Sequence, residues 1–318
     1  MWLIDILAVA AGLALLAVAS DHLVLGASAL AARSGVPVLV VGVVVIGAGT
    51  SMPELLVSAS AALRGSADVG VGNVVGSNIA NVMLVLGVGA LVAPVAVSSR
   101  ILRREVPLMV LAGAAFAAAL WGGLSRLEGV LLLAGLGVAL TLLVWWARGD
   151  RGSAELAREV ADVVTPATGP RATRAAVRAV LGLVGTIAGA QLLVSGALGI
   201  ADAAGVSGGA VGLTIVAGGT SLPELVTAAQ AARRGDAELV VGNILGSNIV
   251  NALGVGGVVA VLAPGRLAGG GLAVGAVAMV LSSLVAVAFM RRRFTVERVE
   301  AALLVVGYVC LVPVLALA

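Results

Sequence analysis

Ten apolar stretches, joined by short connections and one long one, leave this chain few ways to fold. They fall near residues 3–32, 37–63, 69–93, 105–124, 128–147, 178–201, 206–232, 238–263, 269–290 and 299–317. A helix needs roughly 20 apolar residues to cross a bilayer, and each stretch approaches that length. Charged residues make up only 11% of the chain, against about 25% in soluble domains. Membrane barrels alternate apolar and polar residues in segments of roughly ten, a pattern these stretches do not follow. The expected fold is therefore an all-α polytopic membrane protein of ten transmembrane helices.

The arginines order these spans. All 19 basic residues are Arg, 16 of them in connections after odd-numbered spans and three, Arg64, Arg126 and Arg266, after even-numbered ones. Positive residues favour the cytoplasmic side. Odd connections are then inside and both termini extracytoplasmic, with the cell membrane as the location and the lipid bilayer as the main partner. A net charge of +3 carried by loop arginines gives no reason to expect nucleic acid, and no obligate protein partner is evident. "LLAVAS" resembles a cleavage site, but Asp5 stands where a signal peptide needs a basic region, so the first span is expected to remain.

Shifting the sequence by 170 superimposes its halves without a gap. Between 50 and 87, 21 of 38 positions are identical, among them Thr50, Ser51, Glu54, Arg64, Asn73, Ser77, Asn78 and Asn81. "GTSMPEL" repeats as "GTSLPEL" and "GNVVGSNIAN" as "GNILGSNIVN". Five spans per half is an odd number, so the second half enters the membrane in the opposite sense. Residues 1–147 form the first five-span repeat, 148–178 a cytoplasmic linker with one short surface helix around 153–164, and 179–318 the second, inverted repeat. Inverted repeats are typical of secondary transporters, whose substrates bind near the midplane at discontinuous helices.

Glu54 and Glu224 lie at matching depths inside spans 2 and 7. A charge there costs at least roughly 2.5–3.5 kcal/mol on insertion scales, and a lone structural carboxylate would not need a duplicate. Pro53 and Pro223 lack an N–H and crowd the preceding turn, so helices 2 and 7 should break near Gly49 and Gly219. Freed carbonyls beside a cavity can bind cations. Ser77 and Asn81 share a helix face, as do Ser247 and Asn251. Gly72 and Gly76, with Gly242 and Gly246, permit close helix approach. One histidine and one cysteine in the chain leave hard oxygen ligands, which suit Ca²⁺ or Na⁺ rather than Zn, Cu or Fe.

At these residues the chain resembles the calcium/cation antiporter superfamily, and most closely the prokaryotic sodium/calcium exchangers with two inverted α-repeats. The resemblance implies a secondary transporter, not an enzyme, that exchanges Ca²⁺ for Na⁺ by alternating access and needs no cofactor beyond those transported ions. It implies that Glu54 and Glu224 bind Ca²⁺ with backbone oxygens of Thr50 and Thr220. Sodium would use Ser51, Ser77, Ser221 and Ser247, carbonyls near Gly47 and Ala217, Asn81 and Asn251, and the same two carboxylates. Asn73 and Asn243, with Pro53 and Pro223, would brace the broken helices, and spans 1 and 6 would slide against the rest. Many members carry Asp where Asn251 stands; Asn here leaves two formal charges rather than three and should weaken potassium coupling. A Ca²⁺/H⁺ antiporter using the same two Glu residues is the alternative, disfavoured by the serine set.

Overall fold

The computed structural model describes residues 2–33, 51–148, 170–235, 237–267 and 271–317. It is built almost wholly of helices: α1 (Trp2–Arg33), α2 (Met52–Leu63), α3 (Ala67–Val92), α4 (Ser99–Arg103), α5 (Glu105–Leu120), α6 (Arg126–Arg148), α7 (Pro170–Ala204), α8 (208–220), α9 (Leu222–Arg234), α10 (Ala237–Leu262), α11 (Gly271–Arg293) and α12 (Arg298–Leu317). Seven helical stretches among the described residues are long and apolar enough to cross a membrane: α3, α6, α7, the continuous α8–α9 stretch, α10, α11 and α12. Shorter apolar helices cover Leu3–Ala19 and α2. At 16 residues, α5 is shorter than a perpendicular span needs. Helix α7 begins at Pro170, well before the expected 178. Proline suits a first helical turn and the Ala/Arg-rich run after it favours helix, although its charge makes it look like linker. The surface helix expected around 153–164 lies outside the described residues.

The 170-residue offset reappears in three dimensions. Helix α3 spans 67–92 and α10 spans 237–262; α2 starts at Met52 and α9 at Leu222. Both α3 and α10 carry a π-helical turn at matching places, Asn81–Val85 and Val250–Val255. A third π turn, Gly212–Val216, lies in α8. These turns were not expected from sequence; they are often found at functional sites.

Two short pairings tie the halves together. Strand β1 (Val95–Ala96) runs antiparallel to β2 (Thr295–Val296), and Val97 donates its N–H to Phe294 O at 2.8 Å. Leu124 and Gly265 form a reciprocal bridge at 2.9 and 2.8 Å. Under the 170 shift Phe294 is the counterpart of Leu124, and Gly265 that of Val95. The halves are thus paired twice in exchanged places, the second time with Phe294 bonded two residues further on, at Val97 rather than Val95.

Helices α3 and α10 are the most enclosed, while α6 and α12 turn most of their surface outward. The main hydrophobic core forms around α3 and α10, with Ile79, Leu86, Phe116, Ile244, Ile249 and Met279 fully buried. A second cluster, including Leu16, Val57, Leu193, Val194 and Val216, joins α1 and α7 to α2 and α8. Helices α1 and α7 pack chiefly against each other, antiparallel. Gly12 abuts Gly189 and Leu193, while Gly26 abuts Ala175 and Ala179. A Cβ at Gly12 would stand 2.6 Å from Leu193 N and one at Gly189 3.0 Å from Leu16 N, so small residues set this separation.

Candidate functional site

The site is assembled where α2 and α9 begin beside the middles of α3 and α10. Ser51 ends the turn before α2 with φ −87° and ψ 7°, and Ser221 stands between α8 and α9 with φ −82° and ψ 3°. The two halves therefore repeat one local bend as well as one sequence. Around Ser221 the bend is a single residue wide: Ser221 N–H still reaches Ala217 O at 3.1 Å, and Leu225 N–H reaches Ser221 O at 3.1 Å. Pro53 and Pro223 occupy the first turns of α2 and α9. A proline there cannot donate to the carbonyl one turn back.

Glu54 and Glu224, one turn into these helices, are both completely buried. The Glu54 carboxylate faces the hydroxyls of Thr220 and Ser221, which belong to the other half. Neither of its oxygens makes a well-formed hydrogen bond, and Ser51 Oγ and Ser221 Oγ also lack one, among the described residues. No arginine pairs with Glu54 there. Enclosing an ionised carboxylate without a countercharge costs several kcal/mol, so this group calls for a proton or a cation.

A chain of amides fixes the surroundings. Asn73 Nδ2 donates to Ser58 Oγ at 2.9 Å and to Glu54 O at 3.3 Å, and Asn73 Oδ1 accepts from Thr220 Oγ1 at 3.2 Å. One side chain of α3 thereby holds the Glu54 turn and its counterpart across the boundary. Ser77 Oγ donates to Asn73 O at 2.7 Å and accepts from Asn251 Nδ2 at 3.2 Å. Asn81 Nδ2 donates to Asn248 Oδ1 at 3.0 Å, and Asn248 Nδ2 to Asn78 O at 3.3 Å.

These bonds decide which way the amides point. The carbonyl of Asn78 can only accept, so Asn248 must present its nitrogen there and its oxygen to Asn81. Asn81 then turns its own oxygen away. Ser77 has given its proton to Asn73 O, so it can only accept from Asn251, whose oxygen is likewise turned away. Asn81 Oδ1 and Asn251 Oδ1 are both buried with no donor among the described residues. A buried acceptor left so costs about 1–3 kcal/mol, unless a cation occupies it.

The structure thus brings together Glu54, Ser51, Ser77, Asn81, Asn73, Thr220, Ser221 and Asn251 by direct contact or shared turn. Glu224, Ser247, Asn243 and Ala217 are buried on the matching elements of the other half, and Ala217 O also receives Thr220 Oγ1 at 3.4 Å. Thr50 and Gly47 lie outside the described residues. Asn248 and Asn78, which hold Asn81 in this arrangement, are not among the residues that the sequence reading assigns to the site. Their duplication in "GSNI" was the available signal.

The sequence profile of the family described as "Sodium/calcium exchanger protein" matches this chain twice, over residues 4–145 and 175–316. The chain belongs to that family. Among its relatives, the putative antiporter CaxA of Alkalimonas amylolytica is 42% identical over 257 residues, 80% of this chain and 79% of CaxA. The sodium/calcium exchanger MaX1 of Methanosarcina acetivorans is 28% identical over 337 residues, 96% of each chain. Among solved structures, the sodium-calcium exchanger NCX_Mj soaked with Na⁺ and Sr²⁺ superposes with a TM-score of 0.64 at 30% identity, covering 98% of this chain and 99% of that one. As a member of the exchanger family, the chain is a membrane transporter, and its mostly helical fold is theirs.

Proposed function

We propose that this exchanger moves Ca²⁺ against Na⁺ across the cell membrane through one centre shared by its two halves. The observation that carries this reading is the completely buried Glu54 carboxylate, set against Thr220 and Ser221 of the other half, with the spare amide oxygens of Asn81 and Asn251 held in place. In this reading Ca²⁺ is taken by Glu54, Glu224 and the backbone oxygens of Thr50 and Thr220; two bidentate carboxylates and two carbonyls supply six of the roughly 6–8 oxygens calcium prefers. Sodium uses Ser51, Ser77, Ser221, Ser247, Asn81, Asn251, the carbonyls of Gly47 and Ala217, and the same carboxylates. Asn73, Asn243, Pro53 and Pro223 hold the helix turns in shape.

The architecture proposed is ten spans in two inverted repeats, 1–147 and 179–318, around a cytoplasmic linker at 148–178, with both termini outside. The exchanged pairings Val97–Phe294 and Leu124–Gly265 and the antiparallel α1–α7 pair support a pseudo-twofold lying in the membrane plane. Two Glu charges are cancelled by one Ca²⁺ or two Na⁺. An empty site keeps buried charge and resists the sliding of α1 and α7, because desolvated charge is costly; that couples the two fluxes.

The test is uptake of radiolabelled Ca²⁺ into proteoliposomes under imposed Na⁺, K⁺ or H⁺ gradients, beside Glu54→Gln and Glu224→Gln. Outward-directed Na⁺ is expected to drive uptake and each Gln variant to abolish it. Uptake driven by a pH gradient and indifferent to sodium would instead establish Ca²⁺/H⁺ exchange at the same carboxylates.

A further inference from the structure

A largely apolar, open cavity edged by basic side chains lies between the C-terminal half of α1 and the first turns of α7. Its volume is about 400 Å³, and its lining includes His22, Thr173, Arg174, Arg178, Val177 and Leu181. We infer that this cavity binds the headgroup of an anionic phospholipid, its phosphate on Arg174, Arg178 and His22 and its acyl chain along Val177 and Leu181.

The chemistry of the lining carries the inference. Arg174 and Arg178 are one helical turn apart and share a face. No carboxylate pairs with either among the described residues. Arg178 Nε donates to His22 Nδ1 at 2.9 Å. His22 Nδ1 is therefore the accepting nitrogen, leaving Nε2–H in the neutral ring as a donor with no partner among the described residues. The same bond holds the Arg178 guanidinium by one edge and leaves its terminal NH₂ groups available. Arginine forks match phosphate oxygens well. Below the charged groups the surface turns apolar: Val177 is 52% and Leu181 66% exposed, and Val180 and Val184 continue the strip outward along α7. A soluble anion would use the arginines but not this strip; a phospholipid uses both. With odd connections inside, this end of α1 and α7 faces the cytoplasmic leaflet, where basic pockets between spanning helices hold anionic headgroups.

The test reads binding and is independent of which ion the protein exchanges. Detergent-purified protein is mixed with phosphatidylglycerol or with phosphatidylcholine of the same chains, and retained lipid is counted by native mass spectrometry. Wild type is expected to keep phosphatidylglycerol. The double variant Arg174→Gln, Arg178→Gln should lose roughly twenty-five-fold in affinity, from two charges each worth about a factor of five near an anionic surface. Val177→Trp, which narrows the cavity without changing its charge, should weaken retention as well. Equal retention of the two lipids, or a double variant that keeps phosphatidylglycerol as wild type does, overturns the assignment. Displacement of phosphatidylglycerol by millimolar inorganic phosphate alone would make the occupant a soluble anion and overturn the lipid reading too.

Discussion

Asn81 donates its side-chain amide to Asn248 Oδ1 at 3.0 Å, joining two residues 167 positions apart. Because Asn248 also gives its own nitrogen to Asn78 O, this bond fixes the Asn81 amide with its oxygen left without a donor among the described residues. Asn248→Ala removes that guidance while leaving every proposed ion ligand in place. Losing a buried hydrogen bond and stranding its donor costs about 1–3 kcal/mol. The Na⁺ concentration needed to displace bound Ca²⁺ is expected to rise about tenfold, with Asn248→Gln recovering part of the loss, as measured by Na⁺ titration of the Ca²⁺-loaded purified protein.

Ser77 separates the two ions. Its hydroxyl is a donor to Asn73 O and an acceptor from Asn251, and it is placed in the sodium set alone. Ser77→Ala and Ser247→Ala should each raise the Na⁺ concentration needed for half-maximal Ca²⁺ exchange several-fold, with Ca²⁺–Ca²⁺ exchange changed less than twofold. Equal losses in both assays would place Ser77 in the calcium shell or in the scaffold.

The α1–α7 contact admits a steric test. A side chain at Gly189 meets the backbone of Gly12 and Leu16, so Gly189→Leu must spread the pair. Calcium binding should survive within about threefold because neither helix supplies an assigned ligand, while the uptake rate falls by more than tenfold. Loss of binding together with transport would show that α1 and α7 shape the centre itself.

The pairing of the halves can be trapped. Val95 and Val296 are direct partners in an antiparallel pair, where Cα atoms lie about 4.5–5.5 Å apart, inside the range a disulfide accepts. The double variant Val95→Cys, Val296→Cys, made with the single native Cys310 replaced by Ala, should cross-link under mild oxidation and show the mobility shift of a closed loop. Failure to cross-link in the folded protein would contradict the exchanged contacts.

Sequence alone reached the repeat, the apolar helices and the carboxylates, because each leaves a one-dimensional trace. A glutamate in a run of Leu, Val and Ala is conspicuous, and an identity at Asn73 or Ser77 is hard to produce by composition. The amide chain was legible only in part. Asn73 is expected from sequence to brace the broken helices; its amide reaches Glu54 O, but its bond to Thr220 crosses between halves and needs their relative placement. Face-sharing by four-residue spacing selects Ser247 and Asn251 and leaves out Asn248 between them. The π turns at Asn81–Val85 and Val250–Val255 add to the difficulty: an extra residue per turn rotates whatever follows, and no residue type marks them. Helix α7 starts at Pro170, ahead of the expected span, because helical continuation through an Arg-rich stretch leaves no apolar trace in the sequence.

The central claim is that Glu54 and Glu224 form one centre whose charge only cations cancel, and equilibrium binding of radiolabelled Ca²⁺ to purified protein, titrated with Na⁺, tests it most directly. The account predicts that wild-type protein binds Ca²⁺, that Na⁺ displaces it with a dependence steeper than first power, and that Glu54→Gln and Glu224→Gln each abolish binding. Undiminished Ca²⁺ binding in both Gln variants would contradict it.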